Sequence, residues 1–77
     1  MGCQPTQETG SVEITLNGAA RRVPAGQTLL ELLAELALDP VRVAIEMDRR
    51  IVKRADWGTL EPPAGAKIEI VQFVGGG

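Results

Sequence analysis

The most informative stretch of the chain is residues 11–36, which read SVEITLNGAARRVPAGQTLLELLAEL. Its first six residues alternate polar with apolar side chains, which is the two-residue period of a strand with one buried face. Asn17-Gly18 follows directly, and this dipeptide favours the two positive φ angles of a type I′ turn. The stretch therefore predicts a β-hairpin whose second strand covers residues 19–23 and stops at Pro24.

The second half of the same stretch predicts an amphipathic helix. Thr28 and Glu31 have the spacing of a capping box, in which each side chain accepts a hydrogen bond from the other residue's backbone N–H. Apolar side chains then recur at helical spacing and form one stripe, widened by Leu30: Leu29, Leu32, Leu33 and Leu36. We expect the helix to end near Leu38, because Asp39-Pro40 disfavours its continuation. Packing of this stripe on a sheet is favoured over a free partner-binding face, since a helix this short is marginal alone.

Two further strands are predicted after the helix. Residues 41–47 alternate apolar with polar side chains and form the third strand, Asp48-Arg49 forms a tight turn, and residues 50–52 form a short fourth strand. An irregular stretch, residues 53–65, comes next. We expect its Trp57 to pack over the sheet edge or the helix end, with ligand stacking as the less favoured alternative.

The last strand is predicted over residues 67–74 and differs from the others in its pattern. Ile68 and Ile70 point to one face, while Val71 and Phe73 point to the other. A strand that is apolar on both faces is usually central in its sheet, so we place it beside the first strand.

These elements predict an α+β fold of the β-grasp, or ubiquitin-like, type. It has a mixed sheet of about five strands with one main helix packed on one face. The expected organisation is a disordered leader over residues 1–10, a β-grasp domain over residues 11–74 and a flexible glycine tail over residues 75–77. No second helix covers the other face of the sheet, so Val71 and Phe73 are candidate docking residues there.

Composition excludes several classes of function. The chain has 77 residues, which is room for one domain, and its net charge of −2 argues against a nucleic-acid-binding protein. The sequence contains no His, which excludes His-based catalysis and most zinc sites, and we expect no bound metal or cofactor. No apolar run is long enough to cross a bilayer, so we expect a cytoplasmic protein without membrane contact. We assign no catalytic residue, and an independent enzyme is not expected at this size.

The leader, MGCQPTQETG, has almost no apolar content and predicts disorder. Gly2 and Thr6 formally fit an N-myristoylation pattern, but Pro5 interrupts it and no polybasic stretch follows. An unstructured start or a misassigned start codon is the favoured interpretation. The single Cys, Cys3, cannot form an internal disulfide, and a reactive role for its thiol is also disfavoured.

The chain closes with Gly75, Gly76 and Gly77, directly after the predicted central strand. Glycines pack nothing and lose the most entropy on ordering, so a frayed end is one interpretation. The other is functional, because a tail without Cβ atoms can thread a narrow channel in a partner. A terminal carboxylate must be activated before it acylates anything, for example as a mixed anhydride with AMP.

At this point the chain resembles the ThiS family of ubiquitin-like proteins, the sulfur carriers of thiamine biosynthesis. The resemblance covers about residues 12–77. The supporting segments are residues 14–18 (ITLNG), 23–29 (VPAGQTL), the Leu-rich helix, 43–46 (VAIE), 51–54 (IVKR) with Trp57, and 68–77 (IEIVQFVGGG). The last segment is the most specific, because members of the family end in Gly-Gly, which Gly76 and Gly77 match.

The resemblance implies that an E1-like adenylating enzyme uses ATP to adenylate the carboxylate of Gly77. The adenylate then becomes a thiocarboxylate, with sulfur from a donor such as a cysteine desulfurase. Thiazole synthase receives that sulfur for the thiazole ring of thiamine. The carrier is thus implied to be a co-substrate rather than an enzyme.

The chain departs from the family pattern in two places, and other functions remain open. The leader before Ser11 is extra, and the turn after the third strand reads MDRR, where the family often has an Asn-containing turn. The alternatives are a sibling carrier (the small subunit of molybdopterin synthase, or a carrier for cysteine or tRNA thiolation), a ubiquitin-like modifier and a plain β-grasp adaptor. The approach through Phe73 to the glycines favours the thiamine carrier.

Basic residues concentrate in one region, residues 42–54. They are Arg42, Arg49, Arg50, Lys53 and Arg54. This region is either a steering patch for an acidic partner surface or a solvated hairpin interleaved with acidic residues, and the second interpretation is favoured.

Overall fold

The computed structural model describes residues 10–73. These residues form a five-stranded sheet and one α-helix. In chain order the elements are β1 (Ser11–Leu16), β2 (Ala19–Pro24), α1 (Leu29–Glu35), β3 (Val43–Met47), β4 (Arg50–Ile51) and β5 (Lys67–Gln72). Two short 3₁₀ helices, Pro40–Arg42 and Arg54–Asp56, flank the third and fourth strands.

The strands lie in the order β2-β1-β5-β3-β4, so the last strand of the chain occupies the centre of the sheet. It runs parallel to β1 and antiparallel to β3, while the two hairpins are antiparallel. The helix covers one face of this mixed sheet. The predicted β-grasp architecture and the central position of the last strand are confirmed.

The first hairpin forms as predicted. Asn17 has a φ of 50° and Gly18 a φ of 86°, the left-handed values of a type I′ turn. The strands that flank the turn pair in register from Leu16↔Ala19 to Ser11↔Pro24.

At the start of α1, the backbone N–H groups of residues 28–31 all donate hydrogen bonds. The capping box is present, with Glu31 N donating to Thr28 Oγ1 at 3.1 Å and Thr28 N donating to Glu31 Oε1 at 2.9 Å. The other two N–H groups donate to acceptors outside the helix. Leu29 N donates to the carbonyl of Leu60 at 3.0 Å, and Leu30 N donates to that of Trp57 at 2.9 Å. The irregular stretch before β5 thereby docks on the helix end.

The helix ends at Glu35, and the predicted end near Leu38 is wrong. Ala37 takes a left-handed conformation with a φ of 61°. Its N–H donates to the carbonyl of Ala34, and Leu38 N donates to that of Leu33. This pair of bonds is a Schellman motif, which closes the helix before Asp39-Pro40 is reached.

The core lies between α1 and the sheet. Its buried residues are Ile14, Val23, Leu29, Leu32, Leu33, Val43, Ile45, Trp57, Ala66 and Ile68. Three of the predicted stripe leucines belong to it, whereas Leu36 is only partly buried and Leu30 is 42% exposed. Leu30 therefore does not widen the buried stripe as predicted.

Trp57 lies at the start of the helix, where its carbonyl accepts the hydrogen bond from Leu30 N. The helix end was one of the two predicted positions. Its side chain is 2% exposed, and its indole Nε1 donates to the carbonyl of Val52 at 3.0 Å. The guanidinium of Arg54 lies over the ring, 4.8 Å from its centroid. The burial of the indole under this cation speaks against the stacking alternative.

The third and fourth strands are shorter than predicted. Asp39 Oδ1 accepts a hydrogen bond from Val41 N at 3.0 Å and starts the 3₁₀ helix Pro40–Arg42. Val41 is consequently 74% exposed, and β3 begins only at Val43. β4 is limited to Arg50–Ile51, although Val52 N still bonds to the carbonyl of Ile45.

Candidate functional site

The predicted reactive end, residues 75–77, lies outside the described residues, as do Val74 and the leader through residue 9. The structure describes the base from which this end departs, the C-terminal half of β5 up to Phe73. The site geometry that follows is that of this base.

On one edge, β5 is paired along its whole length. The β3 register runs from Met47↔Ile68 to Val43↔Gln72. One further bond follows the strand, from Phe73 N to the carbonyl of Arg42 at 2.7 Å. The chain is therefore held on this side up to the last described residue.

On the other edge, the pairing with β1 is much shorter. Its register includes only Thr15↔Lys67 and Leu16↔Ile68, because β1 stops at Leu16. The residue that follows, Asn17, continues the pairing by itself. Its backbone N–H donates to the carbonyl of Ile68 at 2.9 Å, and its side-chain Oδ1 accepts from Ile70 N at 2.8 Å.

The beginning of β5 is held by the second turn. Asp48 N donates to the carbonyl of Lys67 at 2.8 Å, and Lys67 N donates back to Asp48 Oδ1 at 3.0 Å. Asp48 and Arg49 both have positive φ values, 54° and 72°. The predicted tight turn is confirmed, and its first residue also anchors the central strand.

The face of the sheet opposite α1 carries an exposed apolar surface, here called the outer patch. It consists of Ala44, Ile51, Val71 and Phe73. Val71 and Phe73, the predicted docking residues, are 58% and 51% exposed, and Ala44 is the cross-strand partner of Val71. Ile51 is 75% exposed and pairs with Glu46 on the same face. Sequence reasoning missed Ile51, because alternation alone does not show which face of an edge strand is covered.

Beside this patch the surface charge is mixed. Glu46 and Glu69 lie directly opposite each other on β3 and β5, an arrangement of like charges that opposes strand pairing. An open groove of about 530 Å³ runs along β4 and includes Asp48, Arg50, Lys53 and Asp56 in its lining. Two acidic and two basic side chains thus lie around it.

Among residues 10–73, no group of three His, Cys, Asp or Glu side chains is placed to hold a metal ion. Within the same residues, no helix has the length and apolarity needed to span a membrane.

Known proteins and a family model match most of this chain. The model of the ThiS family matches residues 14–77. The sulfur carrier protein ThiS of Escherichia coli (strain K12) is 32% identical over 66 residues, which are 86% of this chain and 100% of the relative. The crystal structure of a thiamine biosynthesis protein (ThiS) from Geobacter metallireducens superposes with a TM-score of 0.71 at 25% identity. It covers 86% of this chain and 100% of the other.

Two longer relatives share the same region. Thiazole synthases of Paramagnetospirillum magneticum (strain ATCC 700264 / AMB-1) and Magnetococcus marinus (strain ATCC BAA-1437 / JCM 17883 / MC-1) are 36% and 38% identical over 66 residues. The match covers 86% of this chain but only 20% of each synthase. The chain therefore spans about a fifth of the length of these relatives.

Proposed function

The chain belongs to the ThiS family, and from this premise we propose that it is a sulfur carrier of thiamine biosynthesis. It acts as a co-substrate of other enzymes and not as an enzyme itself. The observation that carries the proposal is the course of β5. This central strand is hydrogen-bonded on one edge up to Phe73, and the three glycines follow two residues later.

In the proposed reaction, Gly77 carries the transferred sulfur on its carboxyl group. An E1-like adenylating enzyme binds ATP, and the carboxylate attacks the α-phosphate to form an acyl adenylate with release of pyrophosphate. The outer sulfur of a persulfide, supplied by a donor such as a cysteine desulfurase, then displaces AMP and forms an acyl disulfide. A thiol attacks the donor-side sulfur of that disulfide, which releases the thiocarboxylate of Gly77 and leaves the donor sulfur in a new disulfide with the thiol. Gly75 and Gly76 supply a stretch of chain without side chains that enters the partner's nucleotide site.

We assign the initial contact with these partners to the outer patch. Val71 and Phe73 are half exposed on the strand that leads into the tail. A partner that covers them is thereby placed next to the glycines. Aromatic residues are enriched in protein interfaces, where a few anchors supply much of the binding free energy, and Phe73 is the aromatic residue of this patch.

Thiazole synthase is the proposed acceptor of the sulfur. The specific support is the similarity of this chain to a fifth of two curated thiazole synthases. Such a relation favours thiazole formation over the molybdopterin, cysteine and tRNA pathways. Because adenylation uses the ATP pool of the cell interior, the proposed location is the cytoplasm.

Reconstitution tests this function. The purified 77-residue protein is combined with a candidate adenylating enzyme, MgATP, a cysteine desulfurase with cysteine, and thiazole synthase with its other substrates. We expect thiazole that depends on both ATP and the carrier. A mixture that loads the carrier with sulfur but forms no thiazole would favour a sibling pathway, and adducts on lysines of other proteins would favour a modifier.

A further inference from the structure

We propose that Asn17 is a positioning residue for the glycine tail: its side-chain amide holds the C-terminal half of β5 and so fixes the point at which the tail leaves the sheet. The proposal rests on the function proposed above. It concerns a residue that lies 53 positions before its partner in the sequence and that sits in a turn, away from the reactive end.

The geometry gives Asn17 two contacts with β5. Its backbone N–H bonds to the carbonyl of Ile68, and its Oδ1 accepts from Ile70 N at 2.8 Å. The strand β1 has ended at Leu16, so the amide oxygen takes the place that the next backbone carbonyl would have in the parallel ladder. Within the described residues, this is the last hydrogen bond made to β5 from the β1 side.

Only three described residues follow Ile70, and they depend on β3 for their remaining strand pairing. Val71 and Gln72 pair with Ala44 and Val43, and Phe73 N bonds to the carbonyl of Arg42. With Oδ1 present, β5 is held from both edges up to Ile70. Without it, the strand beyond Ile68 is held from one edge alone, and local fraying from its C-terminal end becomes easier.

The consequence for function is geometric. The carboxylate must meet the α-phosphate of ATP in a near-attack geometry after the outer patch has docked. A fixed position of Phe73 defines where the residues that follow it begin relative to the docked partner. We therefore expect loss of the Asn17 contact to lower kcat/KM of the carrier in adenylation, because the residues that fray include Val71 and Phe73 of the outer patch as well as the start of the tail.

Asn17 also has a turn conformation to satisfy, with a φ of 50°, so the variants must separate the two roles. Asn17→Gly keeps the positive φ, which glycine adopts without strain, and removes the side-chain acceptor. Asn17→Asp is the matched control, because aspartate tolerates the same conformation and retains an oxygen at the same position. A difference between the two variants reports the acceptor and not the turn.

The first measurement is amide hydrogen exchange by NMR on the full chain. In Asn17→Gly we expect faster exchange at Ile70, with the amides of the β1–β2 hairpin unchanged. In Asn17→Asp we expect exchange like that of the unsubstituted protein. Unchanged exchange at Ile70 in the glycine variant would overturn the proposal, because the side-chain bond would then hold nothing.

The second measurement is the rate of adenylation with MgATP and the adenylating enzyme. We expect kcat/KM for Asn17→Gly to fall roughly 2- to 10-fold, the factor that corresponds to one net hydrogen bond, with Asn17→Asp close to normal. Equal kcat/KM in the two variants would overturn the positioning role while the function stands. Failure of the unsubstituted chain to be adenylated would instead contradict the proposed function itself.

Discussion

Asp48 and Lys67 exchange two hydrogen bonds, one from Asp48 N to the Lys67 carbonyl at 2.8 Å and one from Lys67 N to Asp48 Oδ1 at 3.0 Å. The pair joins the β3–β4 turn to the first residue of the central strand. Asn17 likewise joins the β1–β2 turn to the central strand, through hydrogen bonds with Ile68 and Ile70. Both hairpin turns of the sheet therefore supply side-chain acceptors to β5, the strand that leads to the proposed reactive end.

The Asp48 contact predicts a graded series of stabilities. Asp48→Asn keeps an acceptor and tolerates the φ of 54°, so we expect little change in the free energy of unfolding. Asp48→Gly loses only the acceptor and is expected to cost about 0.5–1.5 kcal/mol. Asp48→Ala also strains the backbone and is expected to cost about 1–2 kcal/mol more than the glycine variant. Urea denaturation checks the order, and an alanine variant as stable as Asp48→Asn would contradict it.

The Schellman motif predicts a stabilising substitution. Ala37 has a φ of 61°, where a Cβ is unfavourable and glycine is not. Ala37→Gly is expected to raise the free energy of unfolding by about 1 kcal/mol. Ala34→Gly is the control inside the helix, where the same change is expected to lower stability by about 0.5–1 kcal/mol. Thermal and urea unfolding of both variants measure the effect, and changes of the same sign would refute this account of the helix end.

The core predicts a contrast between two neighbouring leucines. Leu33 is fully buried, whereas Leu30 is 42% exposed. Leu33→Ala is expected to cost about 2–5 kcal/mol, which for a domain of this size is much of the total stability. Leu30→Ala is expected to cost well under half as much, since a large part of its side chain already contacts water. Similar losses for both variants in chemical denaturation would show that α1 packs through a different face.

The outer patch predicts a binding defect without a folding defect. Phe73 is 51% exposed, so Phe73→Ala is expected to leave the melting temperature nearly unchanged. It is expected to raise KM for the carrier in the adenylation reaction by about 10-fold, as for the loss of one interface anchor. Leu30→Ala, an exposed apolar residue on the helical side, is the control with unchanged KM. Steady-state kinetics that show the same KM for all three proteins would remove the patch from the docking surface.

The elements that the sequence predicts correctly are those encoded locally. Asn17-Gly18 favours its turn whatever surrounds it, and Thr28 and Glu31 cap the helix through their own side chains and backbone. Two of the errors at element ends have local causes that periodicity does not reveal. Ala37 takes a conformation usually given to glycine, and Asp39 starts a 3₁₀ helix where alternation indicated a strand.

The base of the proposed site could not be predicted from pattern. The contact of Asn17 with Ile70 joins residues 53 positions apart and depends on how far β1 extends beside β5. Periodicity places residues on faces and does not show which strand ends first. The exposure of Ile51 is hidden for a similar reason, since it depends on the edge position of β4.

The central claim is that Gly77 carries sulfur on its carboxyl group, and intact-mass and fragment-ion mass spectrometry test it most directly. After incubation with the adenylating enzyme, MgATP and the sulfur donor, the chain is predicted to gain the mass difference between sulfur and oxygen, localised to Gly77. The gain is predicted to require ATP and to be absent when residues 75–77 are deleted, while the shortened chain unfolds at the same temperature. An unchanged mass with a functioning adenylating enzyme, or the same gain after the deletion, would contradict the account.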